Sequence, residues 1–150
     1  MSLGNIFDIA GSGMNAQSIR LNTTASNIAN ADSASSSSGS VYRGRHPVFA
    51  AAQREALGFF QPAPVAGGNN IGLDNAGVRV LGIVESDAPL ERRYEPDNPL
   101  ADAEGYVFYP NVNVVEEMTN MISASRSFQM NVEVMNSAKQ MIQRTLTMGQ

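Results

Sequence analysis

Apolar residues recur with helical spacing near both ends of the chain. Steps of four and three alternate along an N-terminal heptad row, whose members are Leu3, Phe7, Ala10, Met14, Gln17, Leu21, Thr24 and Ile28. The same spacing defines a C-terminal row, whose members are Met118, Met121, Ser125, Phe128, Val132, Met135, Lys139, Ile142 and Leu146. Such rows are typical of helices that pack lengthwise against another helix. The pattern therefore predicts two long helices, each with a helical partner.

The residues between the two rows lack helical spacing and contain a Ser-rich stretch and short runs typical of strands. Residues 33–40 are rich in serine, which is typical of a flexible linker. Three short runs bounded by turn residues predict strands, namely VYRGRHPVFA, GVRVLGIVES and GYVFYPNV. We predict an α+β fold with an N-terminal helix in residues 1–31, a Ser-rich linker and β-rich insert in 32–110, and a C-terminal helix in 111–150.

The two helices are predicted to pair as an antiparallel coiled coil. The insert begins after the first helix and ends before the second, so a compact chain brings the second helix back alongside the first. Matching the two apolar rows places Met14 near Val132 or Met135. The heptad repeat leaves the register open, because a slip of seven residues preserves the same pattern.

The outer surface of the first helix is nearly free of charge. Asp8 and Arg20 are the only charged side chains in residues 1–31, and most other polar positions are Asn, Ser or Thr. A lone charge inside a packed assembly needs a partner, whereas small polar side chains can hydrogen-bond a neighbour at little cost. We expect a helix with several protein neighbours, with Asn27 and Asn30 on its packed face. The alternative is a two-helix hairpin with a neutral solvent face.

Composition excludes several classes of function. Charged residues make up 16% of the chain and the net charge is −4, which argues against a nucleic-acid partner. The chain has no cysteine and one histidine, His46, so a thiolate metal site or a His-based triad cannot be built within it. No run is long and apolar enough to cross a bilayer, and the N-terminus lacks the pattern of a cleavable secretory signal. We expect no cofactor, no metal and no direct membrane insertion.

Two longer motifs resemble a known family. LNTTASNIANADS is similar to the Asn-rich helix end of the axial proteins of the bacterial flagellum, and the segment from PNVNVVEEM to the C-terminus resembles the closing helix of their rod subfamily. YRGRHPVF and the span from Tyr94 to Met118 resemble members of the proximal rod most closely. The resemblance extends over nearly the whole chain.

This resemblance implies a non-enzymatic subunit of the flagellar basal body, in the rod that crosses the periplasm. It implies helical polymerisation into a drive shaft that transmits torque and surrounds an export channel. The expected partners are copies of itself, other flagellar rod proteins, the rod–MS-ring adaptor protein and the flagellar type III export apparatus. The residues expected to pair the helices and drive assembly are Leu3, Phe7, Met14, Leu21, Asn27, Ile28, Asn30, Met118, Met121, Phe128, Val132, Met135, Ile142 and Leu146.

Two other functions are compatible with the residues alone. One is a binding module in which a helical stalk displays the β insert. The other is a small hydrolase that uses Asp97, Asp102 or Glu104, although turn-forming acids in a solvated loop explain that cluster more simply. We predict no catalytic residue.

Overall fold

Two long helices precede and follow a β-rich insert in the sequence, which confirms the α+β prediction. The computed structural model describes residues 3–53 and 75–148. Helix α1 spans Leu3–Ala29 and helix α2 spans Val114–Met148. Asn113 caps α2, because its Oδ1 accepts the backbone N–H of Val115 at 3.1 Å.

The insert contains two antiparallel pairs of strands. Strand β1 (Arg45–Gln53) pairs with β2 (Asn75–Glu85), and β3 (Glu91–Tyr94) pairs with β4 (Tyr106–Tyr109). The three predicted strand runs therefore overlap most of β1 and β2 and include all of β4. Strand β3 was not predicted because it occupies only four residues of a proline-interrupted segment.

The helices of one chain pack against each other in antiparallel orientation. Arg20 Nη2 donates to Asn120 Oδ1 at 3.0 Å, and Gly13 faces Asn131 so closely that a Cβ on Gly13 would lie 2.9 Å from Asn131 Nδ2. Lower numbers on α1 thus meet higher numbers on α2. The contact at Gly13 places the neighbouring Met14 closer in register to Val132 than to the alternative partner Met135.

Helix α1 lies between α2 and the β1–β2 hairpin. Both strands of the hairpin contact α1, whereas α2 contacts none of the strands among the described residues. One end of the hairpin meets α1 at Asn27, which bonds the backbone of Arg45, and the other meets it at Ser12, which accepts the N–H of Val78 at 3.1 Å. The nearly uncharged surface of α1 thus has two neighbours within a single chain.

The buried core consists largely of small side chains. Among the described residues, its apolar members are Ala10, Ala16, Ala31, Val41, Val107, Ala124 and Ala138. Alanine and glycine at a helix contact let the two backbones approach closely, but they bury little apolar area per residue. Many larger apolar side chains of α2 and the β1–β2 hairpin are exposed instead.

Candidate assembly surface

The predicted assembly residues of α1 are mostly half-buried in the single chain. Asn27 is the exception, with only 1% of its surface exposed. The side chain of Leu3 lies outside the described residues. The half-buried members are Phe7, Met14, Leu21, Ile28 and Asn30.

The predicted residues of α2 fall into two groups. Met118 and Leu146 are 51% and 68% exposed, so they contribute little to pairing within one chain. The others are half-buried, namely Met121, Phe128, Val132, Met135 and Ile142. The exposed pair keeps its predicted role only as a candidate for contacts between chains.

The residues of α2 that are buried against α1, which we call the contact line, lie next to the larger apolar residues in the sequence. Glu117, Ala124 and Ala138 are buried, and Asn131, which touches Gly13, completes a series with seven-residue spacing. This series is shifted by one residue from Met118 and its predicted heptad mates. Sequence reasoning placed large apolar residues at the contact, whereas Ala124 and Ala138 alternate there with the polar Glu117 and Asn131.

Asn27 joins α1 to the start of β1. Its Nδ2 donates to the Arg45 carbonyl at 2.8 Å, and its Oδ1 accepts the Arg45 N–H at 2.9 Å and the Tyr42 hydroxyl at 2.8 Å. All of these partners belong to the same chain. Asn27 therefore holds the β1–β2 hairpin against α1, a role that sequence reasoning did not assign to it.

Asn30 acts more locally than Asn27. Its Nδ2 donates to the Ser26 carbonyl at 2.8 Å, one turn earlier. The same carbonyl also accepts the Asn30 backbone N–H at 3.1 Å, so the side chain adds a second hydrogen bond to the last turn of α1. The two asparagines predicted to share a packed face thus have different roles within the chain.

Sequence reasoning missed a second asparagine contact, at Asn111. Its Oδ1 accepts the Gly44 N–H at 2.9 Å, and its Nδ2 donates to the carbonyls of Ser86 and Ala88 at 3.2 and 2.8 Å. Asn111 thereby ties the segment before α2 to the open end of the β1–β2 hairpin, where Gly44 precedes β1 and Ser86 follows β2.

Asp102 of the acidic cluster has a structural role in the loop between β3 and β4. Asp102 Oδ1 accepts the backbone N–H groups of Glu104 and Tyr106, both at 2.9 Å. Such bonds stabilise a tight turn, and Gly105 completes it with a φ of +83°. Within residues 3–53 and 75–148, no group of three or more acidic or histidine side chains could hold a metal ion.

Tyr109 and Glu95 tie the base of the same loop together. The Tyr109 hydroxyl donates to Glu95 Oε2 at 3.2 Å. Partial burial raises the pKa of Tyr109 above its ordinary value, and the negative charge of Glu95 adds to the effect. The bond from this hydroxyl to Glu95 helps to order the loop.

The Ser-rich stretch is bound to the insert, so the prediction of a flexible linker is wrong there. Ser35 exchanges two backbone hydrogen bonds with Phe108 of β4, at 3.0 and 3.1 Å. The hydroxyls of Ser35 and Ser37 also hydrogen-bond that of Ser40. Ser35 thus extends the β3–β4 pair on the free side of β4. Serine content alone did not reveal this pairing.

Deleting residues 35–38 is expected to lower the free energy of unfolding by about 1–3 kcal/mol, because the deletion removes both bonds to Phe108. Urea unfolding followed by circular dichroism measures the change. The control is the Ser36→Ala, Ser38→Ala double variant, whose sites are exposed and whose stability should change by less than about 0.5 kcal/mol. A deletion variant as stable as the control would show that the Ser35 contact contributes nothing.

No helix in the described part of the chain is long and apolar enough to cross a membrane.

Comparisons with known proteins identify the class. Residues 7–34 match the family described as flagella basal body rod protein, and residues 103–148 match the C-terminal family of flagellar basal body rod FlgEFG proteins. These two matches cover most of α1 and all of α2. They place the chain among the proteins that build the rod of the flagellar basal body.

Relatives that match over their full length identify which family of rod proteins the chain belongs to. The flagellar basal-body rod protein FlgC of Escherichia coli O6:H1 is 51% identical to this chain, and that of Salmonella typhimurium LT2 is 52% identical, each over the whole of both chains. The FlgC of Buchnera aphidicola from Acyrthosiphon pisum is 42% identical over the same extent. The chain belongs to the FlgC family of flagellar basal-body rod proteins.

Membership in this family establishes the general function. The chain is a structural subunit of the flagellar basal body, and it assembles with other rod components. It is not an enzyme, so the hydrolase alternative at Asp97, Asp102 and Glu104 is wrong.

Proposed function

We propose that the chain polymerises helically into the proximal rod, the drive shaft that transmits torque across the periplasm and surrounds the export channel. The observation that carries the proposal is the exposure of large apolar side chains along α2 and the β1–β2 hairpin. Monomeric proteins rarely expose extended apolar surface, whereas subunits of assemblies do so routinely. A shaft under torque needs such contacts in several directions.

The proposal assigns different parts of the chain to different positions in the rod. Residues 1–31 and 111–150 form the coiled-coil core, and residues 32–110 form the Ser-rich segment and β insert that extend contacts outward. Exposed Met118 and Leu146 would contact neighbouring chains, and Met121 and Phe128 would contribute to pairing within the chain. The antiparallel packing of α1 on α2 supports this assignment.

Two further partners belong to the proposal. The rod–MS-ring adaptor protein would contact the chain at the base of the rod, and the flagellar type III export apparatus would deliver it. Membership in the rod family supports both.

Labelling a single site in intact basal bodies tests the proposed position. The chain has no cysteine, so a Ser38→Cys variant carries one thiol on an exposed loop position. Maleimide-gold should mark the rod segment next to the inner-membrane ring in electron micrographs, and the cysteine-free parent should remain unlabelled. Gold at the distal rod or hook would contradict the proximal position, and absence of the chain from basal bodies would contradict the proposed function altogether.

A further inference from the structure

The β1–β2 hairpin carries an apolar surface that α1 leaves uncovered. We define the hairpin patch as its exposed large apolar side chains, which are 38–59% exposed, namely Val48, Phe49, Val78, Leu81, Ile83 and Val84. Neighbouring residues of a strand point to opposite faces, so Ile83 and Val84 expose apolar groups on both faces of the ribbon. A two-stranded ribbon is only marginally stable without further packing.

Leu81 is the most exposed member of the patch, at 59%. The strand register shifts at this point, because Val48 pairs with Gly82 and Phe49 pairs with Val80. Leu81 is therefore the extra residue of a β-bulge, a feature that redirects a side chain away from the regular ladder. The bulge presents Leu81 outward, where another molecule can reach it.

Helix α2 carries a second apolar surface of similar length. We define the helix stripe as Met130, Val134 and Met141, which are 58%, 48% and 50% exposed. Their spacing of four and seven residues places them on one face. The stripe is about 16 Å long at 1.5 Å per residue, and Val78–Val84 extends about 20 Å at 3.3 Å per residue. Methionine side chains adapt well to an irregular partner surface.

One pair of opposite charges lies beside the two surfaces, and two further cations, Arg126 and Arg144, are exposed beyond the ends of the helix stripe. Arg79 is exposed within the hairpin patch, and Glu133 is exposed at the edge of the helix stripe. Neither side chain forms an ion pair within residues 3–53 and 75–148. A contact between the two surfaces would bring these opposite charges together and favour one orientation of docking.

We propose that the face of the hairpin patch that carries Leu81 in one copy packs on the helix stripe of the next copy. The proposal rests on the proposed function and specifies which surfaces of neighbouring chains meet. A single chain cannot make this contact, since α1 separates the hairpin from α2 and the two do not touch in the described residues. A head-to-tail contact of this kind repeats from copy to copy and generates a helical assembly when it does not close into a ring.

Another exposed cluster on α2 serves as the matched control. Val115, Met118 and Ile122 lie near the start of the helix and are 73%, 51% and 56% exposed. This cluster is only about 10 Å long, which is half the length of the hairpin patch. We therefore expect the hairpin to contact the helix stripe and not this cluster.

Disulfide cross-linking between copies tests the pairing. In basal bodies that carry the Leu81→Cys, Val134→Cys double variant, oxidation should produce covalent species larger than dimers, because each chain offers both halves of the contact. Bridging requires Cα atoms within about 7 Å. The Leu81→Cys, Ile122→Cys double variant should give at least about ten-fold less cross-linked product. Basal bodies assembled from a mixture of the Leu81→Cys and Val134→Cys single variants should give cross-linked dimers only.

Three outcomes would overturn the inference: efficient cross-linking of the Ile122 control, dimers from Leu81→Cys alone, and cross-links only to a different rod protein. An incorporated double variant that forms no cross-link would also overturn it. Immunoblots of the purified basal bodies measure incorporation, so each of these failures leaves the proposed function intact. Absence of the unsubstituted chain from basal bodies would instead contradict the proposed function.

A charge exchange tests the same contact without cysteine. Arg79→Glu places a like charge opposite Glu133 and should reduce incorporation into basal bodies by about ten-fold or more. Adding Glu133→Arg should restore incorporation to within about two-fold of the wild-type level. If the second substitution gives no recovery, the two residues do not face each other and the proposed orientation is wrong.

Discussion

Replacing Asn27 with leucine is expected to lower the free energy of unfolding by about 2–4 kcal/mol. Asn27 is almost completely buried and satisfies both the N–H and the carbonyl of Arg45. Leucine has a similar volume but offers neither donor nor acceptor. Each backbone group left buried without a partner costs about 1–3 kcal/mol. The Tyr42 hydroxyl loses its bond to Asn27 but retains a contact with Ser26 at 3.3 Å.

Urea unfolding of the purified variants at one fixed protein concentration measures this effect. The matched control is Asn22→Leu, which makes the same chemical change on an exposed position of the same helix. The control should change stability by less than about 0.5 kcal/mol. Equal losses for the two variants would mean that the effect comes from leucine in α1 in general, and that the bonds to Arg45 do not secure the hairpin.

Replacing Gly77 with alanine is expected to cost about 2–4 kcal/mol. Gly77 has a φ of +114°, which L-residues rarely adopt, and a Cβ there would collide with the Ser12 side chain. The conformation alone costs about 1–3 kcal/mol. The collision adds to this cost because Ser12 is held in place by its bonds with Ile9 and Val78. The expected result is partial detachment of the β1–β2 hairpin from α1.

Differential scanning calorimetry measures the Gly77 effect as a fall in melting temperature on the order of 10 °C for a chain of this size. Gly82→Ala is the control in the same strand, because no atom lies within 4 Å of a Cβ built on Gly82. Its melting temperature should stay within about 2 °C of the wild-type value. A fall of the same size in both variants would point to a general intolerance of alanine in β2.

The sequence predicted the helices well because their apolar rows are long. Strands β1, β2 and β4 also lay in runs with clear boundaries, whereas β3 is too short and too polar to show any periodicity. The buried series of α2 lies one residue away from the predicted heptad row. The prediction chose the most apolar side chains, whereas close packing of the two helices favours small ones. Ala124 has a small apolar side chain but is fully buried, whereas Met118 has a large apolar side chain but is half exposed.

The polar contacts could not be predicted in the same way. Asn27 belongs to a recognisable Asn-rich motif, but its partner Arg45 lies on another element, and only the fold brings the two together. Ser35 pairs with Phe108 across more than seventy residues of sequence. The composition of a segment indicates only its local conformational preference. It could not predict these contacts, because the partners of Asn27 and Ser35 are distant in the sequence.

The predominance of alanine in the core has a thermodynamic consequence for the rod. Small side chains contribute little hydrophobic free energy per residue, since that energy follows the apolar area removed from water. The isolated subunit therefore has a small energetic margin against unfolding. Contacts that bind only the folded form add to that margin by mass action. In the proposed polymer, each neighbour that binds the folded subunit would therefore add to its conformational stability, which would rise as the polymer grows around it.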